Sequence, residues 1–272
     1  MRILRFLIRY FDKCLYSSKG WYFMLLFNLR ALLTRSEARV KILKNTGHYE
    51  VSSINELDNR VIEFHNESLG AKVYSRGIKE RGEGIGRAYF LNKISFNNGD
   101  IIIDCGANTG DLLLWFQNRN LEIEYIAFEP SKAEYNCLKR NIDPHKSINS
   151  ALWNIDGRKD FFISSNNGDS SIFQPIEFED VHSVKTERLD KYIEKTVKLL
   201  KVEGEGAEPE IIEGLGNKLQ LINYISADLG CERGPMQEYT VTQVTNLLLS
   251  NGFELMYFSP DRFIFLFRNL KF

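Results

Sequence analysis

The chain has 272 residues, 43% apolar and 26% charged, enough for one sizeable core with an appendage. Its formal net charge of −1 lacks the basic excess of a dedicated nucleic-acid binder. Cys14, Cys105, Cys137 and Cys231 stand at no paired spacing, so neither a zinc site nor a disulfide framework is indicated and a reducing, cytoplasmic setting is expected.

Residues 1–35 read as amphipathic helices. Arg2, Arg5, Arg9 and Lys13 fall on one narrow stripe, and Ile3, Leu4, Phe6, Leu7, Ile8, Tyr10 and Phe11 cover the remaining surface. A second apolar run, Trp21 to Phe27, is broken by Asn28 and Arg30. No stretch reaches the roughly 18 uninterrupted apolar residues that span a bilayer. Charges inside the first segment do not suit a signal peptide. Such helices dock on the rest of the chain or on a second copy, or they lie in a membrane interface with arginines toward lipid phosphates.

Residues 36–58 are mixed and polar, with a break at Asn45-Thr46-Gly47. The runs 60–65 and 71–75 flank Asn66-Glu67-Ser68-Leu69-Gly70, which predicts a hairpin with a five-residue loop. Arg76 to Gly86 is charged and glycine-rich and predicts a mobile, solvated linker. The chain thus divides into an N-terminal extension, 1–84, and a main domain, 85–272.

The stretch Ile101-Ile102-Ile103-Asp104-Cys105-Gly106-Ala107-Asn108-Thr109-Gly110-Asp111 runs from a β-branched strand, suited to burial on both faces, into a glycine-bearing turn. The apolar helical pattern Leu112 to Phe116 follows at once. Strand, turn and helix in this order make a nucleotide-type site in an α/β, doubly wound, mostly parallel sheet. The glycines are four apart, unlike the G-x-G-x-x-G that cradles a pyrophosphate. Asp104 would repel a pyrophosphate but suits an ammonium group, such as that of S-adenosylmethionine. The next strand, Glu124 to Phe128, ends in Glu129, at the distance where an acid grips ribose hydroxyls.

Pro130-Ser131 opens a helix with Ser131 as its cap, and Pro144 closes it. Ile148 belongs to a third strand, followed by Asn149 to Trp153. Asp160 to Ile163 and Val181 to Val184 are extended, with the polar run Ser164 to Ser171 between them as a substrate-side loop or a solvated connection. Thr186 is placed as a cap on the short helix of Leu189, Tyr192 and Ile193. Val197 to Val202 is a fourth parallel strand, and beyond its carboxyl end lie Glu203, Gly204, Glu205, Gly206 and Glu208 before Pro209 starts a helix. Glu203 and Glu205 are the candidates for chemistry, and Glu208 and Glu210 fit a helix-dipole role. Asp228 ends the strand Leu221 to Ala227, and Glu232 with Arg233 marks a sharp turn. After a helix, Thr240 to Leu249, the runs Gly252 to Phe258 and Phe263 to Phe267 make a closing antiparallel pair.

With the pieces IIIDCGANTGD (101–111), AFEPS (127–131), NSALW (149–153), TERLD (186–190), KVEGEGAEPEIIEG (201–214) and SADLGCERG (226–234), residues 85–268 resemble the FkbM family of S-adenosylmethionine-dependent methyltransferases. Glu203 stands where the family usually has Asp, and Gly204 where it has a β-branched residue. The resemblance implies a class I methyltransferase sheet with a reversed last strand. It also implies S-adenosylmethionine held by Asp104, Gly106, Ala107, Asn108, Thr109, Gly110, Glu129, Pro130 and Ala151. Arg81, Glu83, Arg87 and Tyr89 precede the first strand, where the family has an element that helps close the cofactor site. The activity implied is O-methylation of a hydroxyl on a sugar, glycolipid or secondary metabolite, at the cytoplasmic side and peripheral to a membrane if the arm binds one. Glu203 or Glu205 with Asp228 would act as base, or would hold a divalent cation such as magnesium. The alternatives are methyl transfer to nitrogen or a carboxylate, a non-catalytic binding protein on the same fold, and an NAD-dependent oxidoreductase, which the glycine spacing and Asp104 oppose.

Overall fold

The computed structural model describes residues 11–55, 58–164 and 170–272. The basic stripe at Arg2, Arg5 and Arg9 and the middle of the polar run after Ser164 lie outside the described residues. Helix α1 (Gly20–Thr34) runs on through Asn28 and Arg30, the polar residues that interrupt its apolar run. Both side chains find partners in place: Arg30 pairs with Asp12, and Asn28 donates to Val40 O at 2.8 Å and accepts from Val40 N at 2.9 Å.

The polar stretch that follows folds into an antiparallel sheet of β1 (Ala38–Ile42), β2 (Tyr49–Ser53) and β3 (Val61–Phe64), in that order. On its far edge Glu63 N donates to Asn141 Oδ1 at 2.8 Å, and Asn141 Nδ2 donates to Glu63 O at 2.9 Å. The predicted hairpin of 60–65 with 71–75 is not formed. The second half is instead helix α2 (Glu67–Tyr74), because Asn66 caps it, its Oδ1 accepting from Leu69 N at 2.9 Å. Gly70 marks close packing rather than a turn, since a Cβ there would lie 2.1 Å from the Phe64 ring.

Residues 76–86 are likewise no mobile linker. They form most of helix α3 (Ile78–Ala88), and the expected boundary at 84/85 falls inside it. Its glycines serve helix packing: a Cβ on Gly86 would meet the Trp115 ring at 1.8 Å, and one on Gly82 would meet Leu114 backbone at 2.9 Å.

The main sheet alternates with helices: β4 (Ile101–Cys105), α4 (Leu112–Gln117), β5 (Glu124–Phe128), α5 (Lys132–Asn141), β6 (Lys146–Ile148). A small separate sheet of β7 (Ala151–Leu152), β8 (Gly157–Ile163) and β9 (Asp180–Glu187) intervenes, in the order β7-β9-β8. Thr186 lies inside β9 and donates to Ile155 O at 3.2 Å rather than capping a helix. The chain then returns through β10 (Val197–Val202), α6 (Glu208–Glu213), β11 (Ile222–Asp228), α7 (Val241–Ser250), β12 (Phe253–Ser259) and β13 (Ile264–Asn269).

The seven strands run in the order β12-β13-β11-β10-β4-β5-β6, with β13 antiparallel to both neighbours. This is the doubly wound, mostly parallel sheet with a reversed last strand that the sequence leads one to expect. Ile102 and Leu199 point into one apolar layer with Leu112 and Leu266, while Ile103, Leu200 and Ile225 point into the other. Burial on both faces explains the unbroken apolar strands. The strand order reverses between β4 and β10, and the ligand crevice of such sheets opens beyond the carboxyl ends there.

Candidate active site

At that crevice the Gly106–Gly110 turn takes its shape from close approach. Gly106 has φ +68°, and a Cβ on it would sit 2.0 Å from Glu203 O of the neighbouring strand end. Gly110 has φ +92°, and its Cβ would meet Ile142 at 2.6 Å. Only glycine lets the two strand ends and α5 come this close. A cavity of about 410 Å³ opens over the turn, the size of a small-ligand pocket. Gly106, Asn108, Thr109, Glu129, Pro130, Ala151, Glu203 and Glu205 line it.

Glu129 is the acid of the cofactor side. Its Oε2 accepts from Asn108 N at 2.9 Å and its Oε1 from Ser131 N at 2.8 Å. Burial, reinforced by the nearby Glu134 carboxylate, pushes its carboxyl up to about 8 against those two donors. A buried carboxyl group facing a cavity, beside a backbone cradle that only glycine permits, fits a ribose diol. The residues therefore suit S-adenosylmethionine. Ala107 and Gly110 shape the turn without lining the cavity.

Asp104 also lies behind the cavity wall rather than in it, 1% exposed. Register explains its partner: Asp104 of β4 stands across from Lys201 of β10. The Lys201 ammonium, 2% exposed, lies 3.1 Å from Asp104 Oδ1 and 2.7 Å from Glu203 Oε2, and it donates to Gly106 O at 2.7 Å. Tyr125 donates to Asp104 Oδ2. Burial works against the charge on Lys201, but the two carboxylates outweigh it and hold the ammonium above its ordinary range. Burial likewise raises Asp104 in spite of Lys201, whereas Lys201 overcomes burial at Glu203 and lowers it. Lys201 was legible only as one of two lysines, with Lys198, in an otherwise apolar strand.

Beyond β10 the acidic loop divides its labour. Glu203 and Glu205 reach the cavity, while Asp228 at the end of β11 does not line it and lies near Glu203 and Arg262. Burial and then the Glu203 charge push Asp228 up to about 6. Glu208 holds the loop: its Oε1 accepts from Gly204 N at 2.8 Å and Gly206 N at 3.2 Å, and its Oε2 from Thr240 at 3.0 Å. Burial raises its carboxyl to about 7. Glu210 pairs with Arg233 at 2.7 Å. The space above Gly204 is filled by Ile211, 2.7 Å from where a Cβ would be.

The expected carboxylates do not converge as a cation site. Among the described residues the one grouping of three metal-type ligands is His48, Glu63 and Cys137, where the Arg140 guanidinium already holds Glu63. Between Asp104 and Glu203 the positive charge is the ammonium of Lys201. The acids of this site therefore do not fit a divalent cation.

The N-terminal module supplies the opposite wall, through Phe64, His65, Leu69 and Tyr74, together with Arg81 of α3. Tyr74 donates to Asp111 at 2.5 Å and Arg81 Nε does so at 2.6 Å, fixing this wall to the end of the glycine turn. Tyr89 is buried against Glu203. Arg81 and Tyr89 lie where the resemblance places an element closing the cofactor site, whereas the hairpin-like pattern of 60–75 concealed Phe64, His65, Leu69 and Tyr74, whose roles depend on tertiary contacts.

Residues 104–255 match the family model described as the methyltransferase FkbM domain. A curated relative, "Methyltransferase 1" of Beauveria bassiana (strain ARSEF 2860), is 25% identical over 213 residues, covering 66% of this chain and 84% of its own. Among solved structures, the methyltransferase FkbM from Methylobacillus flagellatus KT aligns over 70% of this chain and 50% of its own, at 15% identity and TM-score 0.47. The N-terminal domain of human METTL16 in complex with SAH aligns over 89% of this chain and 92% of its own, at 12% identity and TM-score 0.41. With its glycine turn, its cofactor-side acid and a family match over more than half its length, the chain belongs to the FkbM methyltransferase domain family and is an S-adenosylmethionine-dependent methyltransferase.

Proposed function

We propose that the protein transfers the methyl group to a hydroxyl of a sugar, glycolipid or hydroxylated secondary metabolite. The observation that carries this reading is the cavity-facing Glu203 carboxylate, kept ionised by Lys201, in a lining that also holds Glu205, Ser150 and Ser170. These acceptors take hydrogen bonds from a hydroxylated molecule, while Phe64, Leu69 and Phe161 supply apolar walls for the rest of it. The bound cofactor supplies a methyl already activated by its sulfonium. The protein has then to align the acceptor oxygen and receive its proton. Glu203 accepts the hydroxyl hydrogen bond and orients the oxygen. Glu203 takes up the proton as the methyl is transferred, while Asp228, buried beside it and outside the cavity lining, bears on the Glu203 charge. Arg81 and Tyr74 hold the far wall of the cavity through Asp111.

The test is transfer of labelled methyl to a panel of hydroxylated glycosides, amines and carboxylic acids, followed by alkaline treatment. A base-stable ether on a glycoside supports the proposal. Glu203→Gln should then lower kcat by at least about tenfold, with cofactor affinity unchanged. Label found only in an amine or a base-labile ester would overturn it.

A further inference from the structure

Helix α1 has two apolar faces. Phe23, Leu26, Phe27 and Ala31 are buried against the three-stranded sheet. Trp21, Tyr22, Leu25, Leu29, Leu32 and Leu33 face outward, each between 43% and 69% exposed. At about 100° per residue these six occupy a single arc roughly 120° wide, so they form one continuous stripe along the helix. Exposed Lys19 and Arg35 stand at its two ends.

Charge indicates what covers the stripe. Residues 1–36 hold seven basic side chains and one acid, Asp12, in a chain whose totals are 35 and 36. The rest of the protein is therefore acidic, and its positive charge is concentrated at this end. A second copy would have to bring two such positive segments together across a symmetric contact, which repulsion opposes. An anionic bilayer surface meets both demands, apolar depth for the leucines and negative headgroups for the cations. Trp21 and Tyr22 add the amphipathic rings favoured at that interface. No helix among the described residues is long and apolar enough to cross a membrane, so this contact lies in the plane of the surface.

We propose that the outward face of α1, with exposed Lys19 and Arg35 at its ends, docks the enzyme on an anionic lipid surface. The docking face and the active site share one module. Phe23 packs at 4.9 Å on Tyr49 and at 6.2 Å on Phe64, and Phe64 lines the cavity.

Full-length protein would be sedimented with vesicles of phosphatidylcholine alone or with about one third phosphatidylserine. At least about tenfold tighter association with the anionic vesicles is expected, largely lost near 0.5 M salt. Trp115 and Trp153 are buried, so a blue shift of tryptophan emission on vesicles reports Trp21, and Trp21→Phe should abolish it. Trp21→Glu/Leu25→Glu/Leu32→Glu alters exposed positions alone and should lower vesicle binding at least about tenfold while keeping cofactor binding. Equal binding to neutral and anionic vesicles, or undiminished binding by the triple variant, would overturn the proposal. So would a dimer that the triple variant splits in the absence of any vesicle binding.

Discussion

Lys201→Met probes the charge arrangement on which the site rests. Lys201 and Asp104 are 2% and 1% exposed, so the substitution strands a carboxylate that water cannot reach. Removing one partner of a buried ion pair costs about 3–5 kcal/mol. At about 2–4 °C per kcal/mol for a chain of this size, Tm should fall by roughly 6–20 °C at pH 8. Asp104 is already raised by burial in the parent, and without Lys201 it rises further. Between its unfolded and folded values the native state then holds the extra proton, so the variant loses stability as pH rises through the folded value and regains it as pH falls. Thermal unfolding at pH 5 and pH 8 reads this directly, the deficit being smaller at pH 5. Lys201→Met/Asp104→Asn should be more stable at pH 8 than Lys201→Met alone, with a coupling of at least about 1 kcal/mol. A Tm loss under about 3 °C at pH 8, equal at pH 5, would refute the buried-pair argument.

Glu129→Ala removes the acid facing the cofactor cavity and should weaken S-adenosylmethionine binding by about 10–150-fold in calorimetry, Glu129→Gln losing less. Gly106→Ala forces a Cβ within 2.0 Å of Glu203 O at positive φ, so cofactor binding should vanish and Tm should drop even if the protein folds. Glu208 has a folded value of about 7 against an ordinary 4.5, so its contribution to stability is full below the ordinary value and is lost as pH rises through 7. Glu208→Gln keeps an acceptor for Gly204 N and Gly206 N, and its stability relative to the parent should improve by up to about 3 kcal/mol between pH 5 and pH 8.5, as read by urea unfolding. Arg81→Met leaves Asp111 short of a buried partner and should cost about 2–4 kcal/mol while raising the cofactor Kd.

The parts of this site that could be read from residues alone are those dictated by local backbone chemistry. Gly106 and Gly110 marked a turn because no other residue fits, and Glu129 followed from the length of a strand–helix–strand unit. Asp104 shows where such reading ends. The strand end predicted its position, but only the register of β4 against β10 gives it Lys201 as partner and places it behind the cavity. Gly70, Gly82 and Gly86 looked like loop signals because a glycine that permits close packing carries the same letter as one that permits a turn. The ring of Phe64 and the indole of Trp115, distant in sequence, decide which it is. Asn66 followed by Glu67 was a local cap signal, masked by the β-branched runs around it.

The small sheet of β1, β2 and β3 ends, on each side, in an asparagine. Asn28 and Asn141 each offer one amide donor and one carbonyl acceptor to a strand backbone, as a further strand would. Exposed strand edges recruit one another, and a three-stranded sheet with two open edges is a template for polymerisation. Here each edge is closed at one point by a side chain borrowed from a helix, at no risk of propagating further. Truncating Asn28 would do more than loosen α1. It would free the edge of β1, and the expected failure is aggregation on heating rather than simple unfolding.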